Sequence, residues 1–274
     1  MARSRIYLDH NATTPVDPRV QASMRECLDV FGNPSSIHEH GRAARELVEG
    51  ARRQVADMLT ASQEEIVFTS GGTEADALGI VGLARNVTTG GRIVTTALEH
   101  PACRGPAEGL AAGQLATAPF ELMVVRVDGS GRVDLDHLGQ LCAGPGVVVV
   151  HLANHELGTI QDLVVIAELA HRAGMLVHCD AVQAVGKLPV VVSDLGVDTL
   201  ALSGHKIGGP KGIGALWVRR GLDLGPIYAG GHQERERRPG TENLIGAVGL
   251  GEAASLVAER LAAATEVRER ADRL

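Results

Sequence analysis

Short Val-rich runs alternate with amphipathic segments along most of this chain, and that alternation constrains the fold more than any other feature. Glu65–Thr69, Arg92–Thr96, Glu121–Val127, Gly146–Leu152, Met175–Asp180, Thr199–Ser203 and Gly214–Arg219 read as strands. Glu74–Arg85, Ala102–Ala112, Asp134–Leu141 and Leu163–Ala173, lying between them, read as helices. Strands that are apolar on both faces and joined through helices form mostly parallel sheets covered on both sides. The expected fold class is therefore α/β, three layers, with a mostly parallel sheet flanked by helices. Two further helices, Pro18–Val30 and Ile37–Leu59, precede this region, and one long helix over Leu244–Leu274 closes the chain with a charged end. At 274 residues the chain lies in the range of about 250–300 at which one hydrophobic core stops growing. One large domain, with at most a fragment of a second, is expected.

Composition narrows the function classes. Aromatic residues are 2% of the chain, so the core is built from Val, Leu, Ile and Ala. The net charge is −7 and basic residues are interspersed with acidic ones, which argues against nucleic acid and against an anionic membrane surface. The most apolar stretch, Gly146–Ala153, contains His151 and falls far short of the roughly 20 residues of a membrane span. The first residues carry charge without an apolar segment behind it, so no secretory signal is read. Cys27, Cys103, Cys142 and Cys179 form no CxxC pair, and a reducing, cytoplasmic setting is expected. Cys142 and Cys179, in apolar surroundings, read as small buried hydrophobes.

In open α/β sheets ligands sit beyond the carboxyl ends of the strands, so the residues after each strand carry the functional reading. After the first comes Ser70-Gly71-Gly72-Thr73-Glu74, a glycine pair turning into a helix, which is a ready anion site though common as a plain turn. Later strands end in Leu98-Glu99-His100, Asn154-His155-Glu156, Asp180-Ala181-Val182-Gln183 and Ser203-Gly204-His205-Lys206. One Asp, one Lys, a His and an anion cradle on one sheet edge suit pyridoxal 5′-phosphate. Its aldehyde needs a lysine amine, its ring nitrogen a carboxylate, and its phosphate hydroxyls and backbone N–H groups. Asp180, Lys206, Thr73, Ser203, His100 and the small Ala181 meet that list. The chain has only three lysines, and Lys187 and Lys211, each beside a glycine and a proline, read as surface residues. His151 and His155 are four apart but lie on strand and loop, with no zinc-type His-Cys-carboxylate spacing, so no metal site is assigned.

These segments resemble the cysteine desulfurases, in the class V aminotransferase group of fold-type I pyridoxal-phosphate enzymes. The resemblance rests on YLDHNATTP (7–15), FGNPSSIHEHGRAARE (31–46), IVFTSGGTEADAL (66–78), LEHPA (98–102), ANHELGTIQD (153–162), HCDAVQAVGKLP (178–189), SGHKIGGPKGIGAL (203–216) and GGHQERERRPGTEN (230–243). It implies that Lys206 binds the cofactor covalently, Asp180 pairs with the ring nitrogen, and His100 stacks on the ring and moves protons. Gln183 and His155 lie by the ring hydroxyl. Gly72, Thr73, Ser203, Gly204 and His205 surround the phosphate, Ala181 lies under the ring, and Asn11 and Ala12 line the substrate pocket. Thr241 reaches the cofactor phosphate of a neighbouring subunit, which implies a homodimer. The implied reaction converts L-cysteine to L-alanine and passes the sulfur, as a persulfide, toward an acceptor such as an iron–sulfur scaffold protein. Selenocysteine lyases and aminotransferases of the same group, and a non-catalytic cofactor-binding partner, are the alternative readings.

The resemblance also implies a division of the chain. Residues 1–14 belong to the substrate pocket and small domain, residues 15–256 form the cofactor-binding large domain, and residues 257–274 begin the helix leading to a small domain. Family members often carry Asn where this chain has His155. Their nucleophilic cysteine and carboxylate-binding arginine lie beyond the matched segments, and none of the four cysteines here matches that position. A C-terminally truncated member is the expectation.

Overall fold

The computed structural model describes residues 6–87, 90–116, 118–271 and 273. The first five residues of the expected 1–14 segment, and Asp272 and Leu274 at the end of the expected terminal helix, lie outside them.

Seven strands are present among the described residues: β1 (Ile66–Thr69), β2 (Arg92–Thr96), β3 (Glu121–Val125), β4 (Gly146–His151), β5 (Met175–Asp180), β6 (Thr199–Ser203) and β7 (Gly214–Val218). They form one sheet in the order β1-β7-β6-β5-β4-β2-β3. β7 runs antiparallel to both of its neighbours, and the other pairings are parallel. The helices are α1 (Pro18–Glu26), α2 (Glu39–Leu59), α3 (Gly72–Ala84), α4 (Pro101–Ala111), α5 (Leu135–Leu141), α6 (Leu163–Arg172), the single turn α7 (Val192–Leu195), α8 (Leu244–Ser255), α9 (Val257–Ala262) and α10 (Ala264–Ala271).

The valine run of β4 shows why the sheet is covered twice. Val148 and Val150 join a core with Val55 of α2, Ile166 of α6 and Leu250 of α8. Val147 and Val149 point the other way, into a second core with Leu78 and Leu83 of α3 and Leu110 of α4. Each buried Val or Leu contributes about 1.5–3 kcal/mol, so a strand apolar on both faces is stable only between two helical layers.

Several boundaries shift from expectation, three of them at element ends that matter here. α1 stops at Glu26 rather than Val30, and β3 stops at Val125 rather than Val127. The expected single terminal helix is broken at Leu256 and Ala263. Contacts to the distant α1 hold the middle piece, with Glu259 accepting from Arg19 at 2.7 Å and Arg260 lying 3.4 Å from Asp17.

Candidate functional site

The carboxyl ends of β2, β4, β5 and β6 meet the start of α3 around a cavity of about 530 Å³. The rule for open α/β sheets places a ligand here.

Asp180 ends β5 and is buried, with one carboxylate oxygen accepting the Val182 N–H at 2.9 Å. Its other oxygen lies 3.9 Å from the Cys103 thiol. Burial, reinforced by the charge of Asp76, pushes this carboxyl up to about 7. Lys206 follows β6 in a short 3₁₀ turn, and its Nζ donates to the carbonyls of Asn11 at 2.5 Å and Ala12 at 3.1 Å. Burial lowers the Lys206 amine, and the charges of Asp180 and Asp9 oppose that shift.

The N-terminal segment is laced onto the same turn. Thr14 Oγ1 donates to the His205 carbonyl at 2.9 Å and accepts the Gly208 N–H at 2.8 Å, and Thr13 Oγ1 lies 3.1 Å from His205 Nδ1. These contacts bring Asn11 and Ala12 to the mouth of the cavity.

His100 caps α4, its Nδ1 accepting the Ala102 N–H at 3.1 Å, which leaves Nε2 for the cavity. Its ring meets that of His155 edge-on at 5.6 Å. Burial, with the nearby His155 and Lys206, lowers the His100 pKa and favours neutral imidazole. α3 begins at Gly72 without a side-chain cap, and its first N–H groups, which lack helical partners, open toward the cavity. A Cβ on Gly72 would stand 2.8 Å from Val182 Cγ2 and 3.4 Å from Ser203 Cβ, so glycine lets the helix start approach the strand ends.

Asn11, Ala12, Gly72, Thr73, His100, His155, Asp180, Gln183, Ser203, His205 and Lys206 all line this one cavity. Two residues expected beside this chain's own cofactor do not. Ala181 is buried behind the wall and its neighbour Val182 forms the surface, because alternate residues at a strand end face opposite ways. Gly204 is packed against Ile213 and the carbonyl of Pro210. Thr241, expected at a neighbouring subunit's phosphate rather than here, lines a separate hollow with Ser70 and Gly212.

The structure adds to two further readings. Lys187 reaches the site from its exposed position: its Nζ donates to Asn11 Oδ1 at 2.8 Å and to Gln183 Oε1. Gln183 in turn donates to the Asn11 carbonyl at 2.9 Å. A buried His-Cys-carboxylate group also exists despite the lack of zinc spacing, since ligand atoms of Asp76, Cys103 and His178 lie within 4.8 Å of one another. His178 engages Thr199 Oγ1 at 2.9 Å and Asp76 Oδ1 at 3.1 Å, so both ring nitrogens have protein partners. Burial drives the His178 pKa down to about 4 and the Cys103 thiol well up.

The cavity lining that sequence reasoning does not assign to the site includes Asp76 and His151. Asp76 sits one turn into α3, where sequence shows only a helical acid. His151 ends β4 in the cavity with its Nδ1 2.8 Å from Glu99 Oε1, and the legible signal was a polar residue closing a run of four valines.

A mostly parallel sheet presenting a lysine and a buried carboxylate to one cavity beside a glycine-led helix start is the large domain of a fold-type I pyridoxal-phosphate enzyme. The aminotransferase class-V profile matches residues 6–273. A cysteine desulfurase of Trichormus azollae is 46% identical over 255 residues, covering 92% of this chain and 62% of the relative. A putative cysteine desulfurase IscS 1 of Bacillus subtilis (strain 168) is 44% identical over 259 residues, covering 93% of this chain and 67% of the relative. Among solved structures, a NifS-like protein superposes with a TM-score of 0.90 at 36% identity, covering 96% of this chain and 72% of that one. The structure titled SspA in complex with cysteine superposes with a TM-score of 0.85 at 35% identity, covering 91% and 72%. The chain belongs to the aminotransferase class-V family, whose cofactor is pyridoxal 5′-phosphate. It spans about 62% of the length of the Trichormus relative.

The residues present fit that cofactor. Asp180 offers a buried carboxyl group whose Oδ2 has only a long thiol contact, which suits a protonated ring nitrogen. The close packing at Gly72 leaves backbone N–H groups at the cavity for a phosphate.

Proposed function

We propose that this chain is the cofactor- and substrate-binding part of a cysteine desulfurase, acting on L-cysteine to give L-alanine. One observation carries the reading: Lys206 and the buried Asp180 face a single cavity that Asn11 and His100 also line. When bound, the cofactor supplies a sink for the negative charge left at the substrate α-carbon. Lys206 Nζ is its covalent anchor and moves the α-proton, helped by burial that lowers the amine. Asp180 holds a proton at the ring nitrogen. Gly72, Thr73, Ser203 and His205 hold the phosphate, with Gly204 packing the turn behind them. His155 and Gln183 orient the ring hydroxyl, and Val182, backed by Ala181, closes the floor. His100 Nε2 is the second proton-moving atom. Asn11 and Ala12 orient the amino acid.

All four cysteines are free and buried, and burial raises each thiol. None of them presents the exposed thiolate that a sulfur transfer requires. The accepting thiolate therefore comes from residues or a polypeptide outside these 274 positions, and passes sulfur to an acceptor such as an iron–sulfur scaffold protein. We place residues 15–256 in a large cofactor-binding domain, with 1–14 covering its cavity and 257–274 leading toward a small domain. The assembly we propose is a homodimer in which Thr241 serves the partner's phosphate. No helix of the described residues is long and apolar enough to cross a membrane, and the free buried thiols support a reducing cytoplasm.

Borohydride reduction of the cofactor-loaded protein tests the site, with the label expected on Lys206. A label on Lys187 or Lys211 overturns the assignment. L-cysteine should perturb the visible absorption of the loaded protein, and alanine should appear with a persulfide on an added thiol-bearing partner, from which excess dithiol reductant releases sulfide. An unperturbed spectrum supports the non-catalytic reading instead.

A further inference from the structure

The side of the sheet under α3 and α4 gathers three buried carboxyl groups at one end: Asp76 from α3, Glu99 from the loop before α4, and Asp180 from β5. Two imidazoles face them, His178 of β5 and His151 of β4, together with the Cys103 thiol of α4. His178 is bonded to Asp76 and Thr199, and its burial drives it down to about 4, so it stays neutral. His151 is placed differently. It is the register partner of Asp180 on the adjoining parallel strand, and both line the cavity. Register partners in a parallel pair project to the same face from strands about 4.8 Å apart.

Glu99 fixes the His151 ring. Its side chain is fully buried, and Oε1 receives both His151 Nδ1 at 2.8 Å and Thr96 Oγ1 at 2.8 Å. Its second oxygen is buried with no partner among the described residues, so the carboxylate has an unbalanced side. Gln161 Nε2 stands 3.5 Å from His151 Nε2 and would oppose a proton there. That long contact is weaker than the short bond between Nδ1 and Glu99 Oε1, so Glu99 dominates the setting of the ring.

We propose that His151 is a positioning residue of the cofactor cavity: oriented by Glu99, it is the counter-charge that holds Asp180 in place to meet the ring nitrogen. The proposal rests on the pyridoxal-phosphate reading of the site. Burial alone would lower His151, but the bond to Glu99 and the charges of Glu99 and Asp180 together raise it above the ordinary histidine value. The charge is present below that raised pKa and lost as pH rises through it.

His151→Gln separates charge from hydrogen bonding, because a glutamine amide can still donate to Glu99 but cannot become cationic. Two readouts apply. In the apo protein, ring ¹⁵N NMR titration assigns His151 by its loss in His151→Gln. Its midpoint should lie above that of a free histidine and fall in Asp180→Asn. In binding titrations followed by visible absorbance, His151→Gln should weaken pyridoxal phosphate about tenfold at neutral pH, the equivalent of one pKa unit. That deficit should shrink toward none as pH rises through the His151 titration. A merely structural His151–Glu99 bond would leave the Gln variant with wild-type affinity at every pH. Borohydride labelling of wild-type Lys206 with an unmoved His151 titration in Asp180→Asn overturns this proposal alone. Absence of labelling in the wild type overturns the cofactor reading and this proposal with it.

Discussion

The His100 imidazole accepts the backbone N–H of Ala102 at 3.1 Å, so one ring both starts α4 and lines the cavity. The two roles separate by substitution. His100→Ala removes the cap and should cost about 1 kcal/mol of stability in urea unfolding, whereas His100→Asn restores a good N-cap and should cost less. Both lack the proton-moving nitrogen. Formation of alanine from L-cysteine by the loaded protein with a thiol-bearing partner should slow by roughly 10²–10⁴-fold in both variants, while exchange of the α-proton that Lys206 moves changes less. Equal rates of alanine formation in wild type and His100→Asn would leave the ring with only its capping role.

Asp180 is a site residue that the apo fold keeps against its own stability. A free aspartate titrates near 3.8, and burial with the nearby Asp76 moves the folded group to about 7. Between those values the folded carboxyl keeps a proton that the unfolded chain releases, so this group's contribution falls as pH rises across that window. Asp180→Asn should therefore stabilise the apo protein by a few kcal/mol at pH 8, with the gain fading toward pH 4. His178 acts with the opposite sign: its folded pKa of about 4 lies below the ordinary 6.5, so stability is lost as pH falls across that interval. Urea midpoints of wild type and Asp180→Asn from pH 4 to 8 test both slopes. The variant should bind pyridoxal phosphate more weakly, a trade of function against stability.

The strands were legible because burial on two faces leaves an uninterrupted apolar run, and GVVVV over residues 146–150 admits little else. The strand ends then showed most of the cavity, since Asp180 and Ser203 close strands and Lys206 lies three residues beyond Ser203. Pairings across long stretches of chain left no local trace. Lys187 reads as a turn lysine, yet its amine meets Asn11 from 176 positions away. Asp76 and His178 are separated by 102 positions and by an ordinary helix and strand pattern. The break at Leu256 falls within a run free of glycine and proline, and only the contacts of Glu259 and Arg260 with α1 distinguish it.

The loop that carries Thr241 depends on a buried ion pair. Glu234 accepts from Arg52 at 2.6 and 2.8 Å and from the Phe68 N–H at 2.9 Å, with both charged side chains almost wholly enclosed. Glu234, Arg235 and Glu236 all have positive φ, at 48°, 55° and 66°, a strained left-handed turn for non-glycine residues. Glu234→Ala leaves Arg52 buried without that partner and should cost roughly 3–5 kcal/mol. Replacing both residues, as Arg52→Met with Glu234→Leu, should recover much of that loss in thermal unfolding. Limited proteolysis should cut near residue 235 faster in both variants, because neither retains the bonds that hold the left-handed turn.

Gly72→Ala sets two effects against each other at the start of α3. Alanine is favoured over glycine within a helix by about 1 kcal/mol. Here its Cβ would stand 2.8 Å from Val182 Cγ2, and valine has little rotamer freedom with which to yield. Overpacking of this kind costs about 1–3 kcal/mol, so the collision should win. The displaced residue is also the one whose N–H holds Asp180 at 2.9 Å, so strain at the phosphate end should reach the ring-nitrogen end of the cavity. The expected result is lower thermal stability and pyridoxal-phosphate affinity reduced about tenfold, the equivalent of one pKa unit at Asp180. Adding Val182→Ala removes the colliding methyl and should restore most of the affinity in the same absorbance titration. A double variant no better than Gly72→Ala would show that glycine is required at residue 72 for a reason other than its contact with Val182.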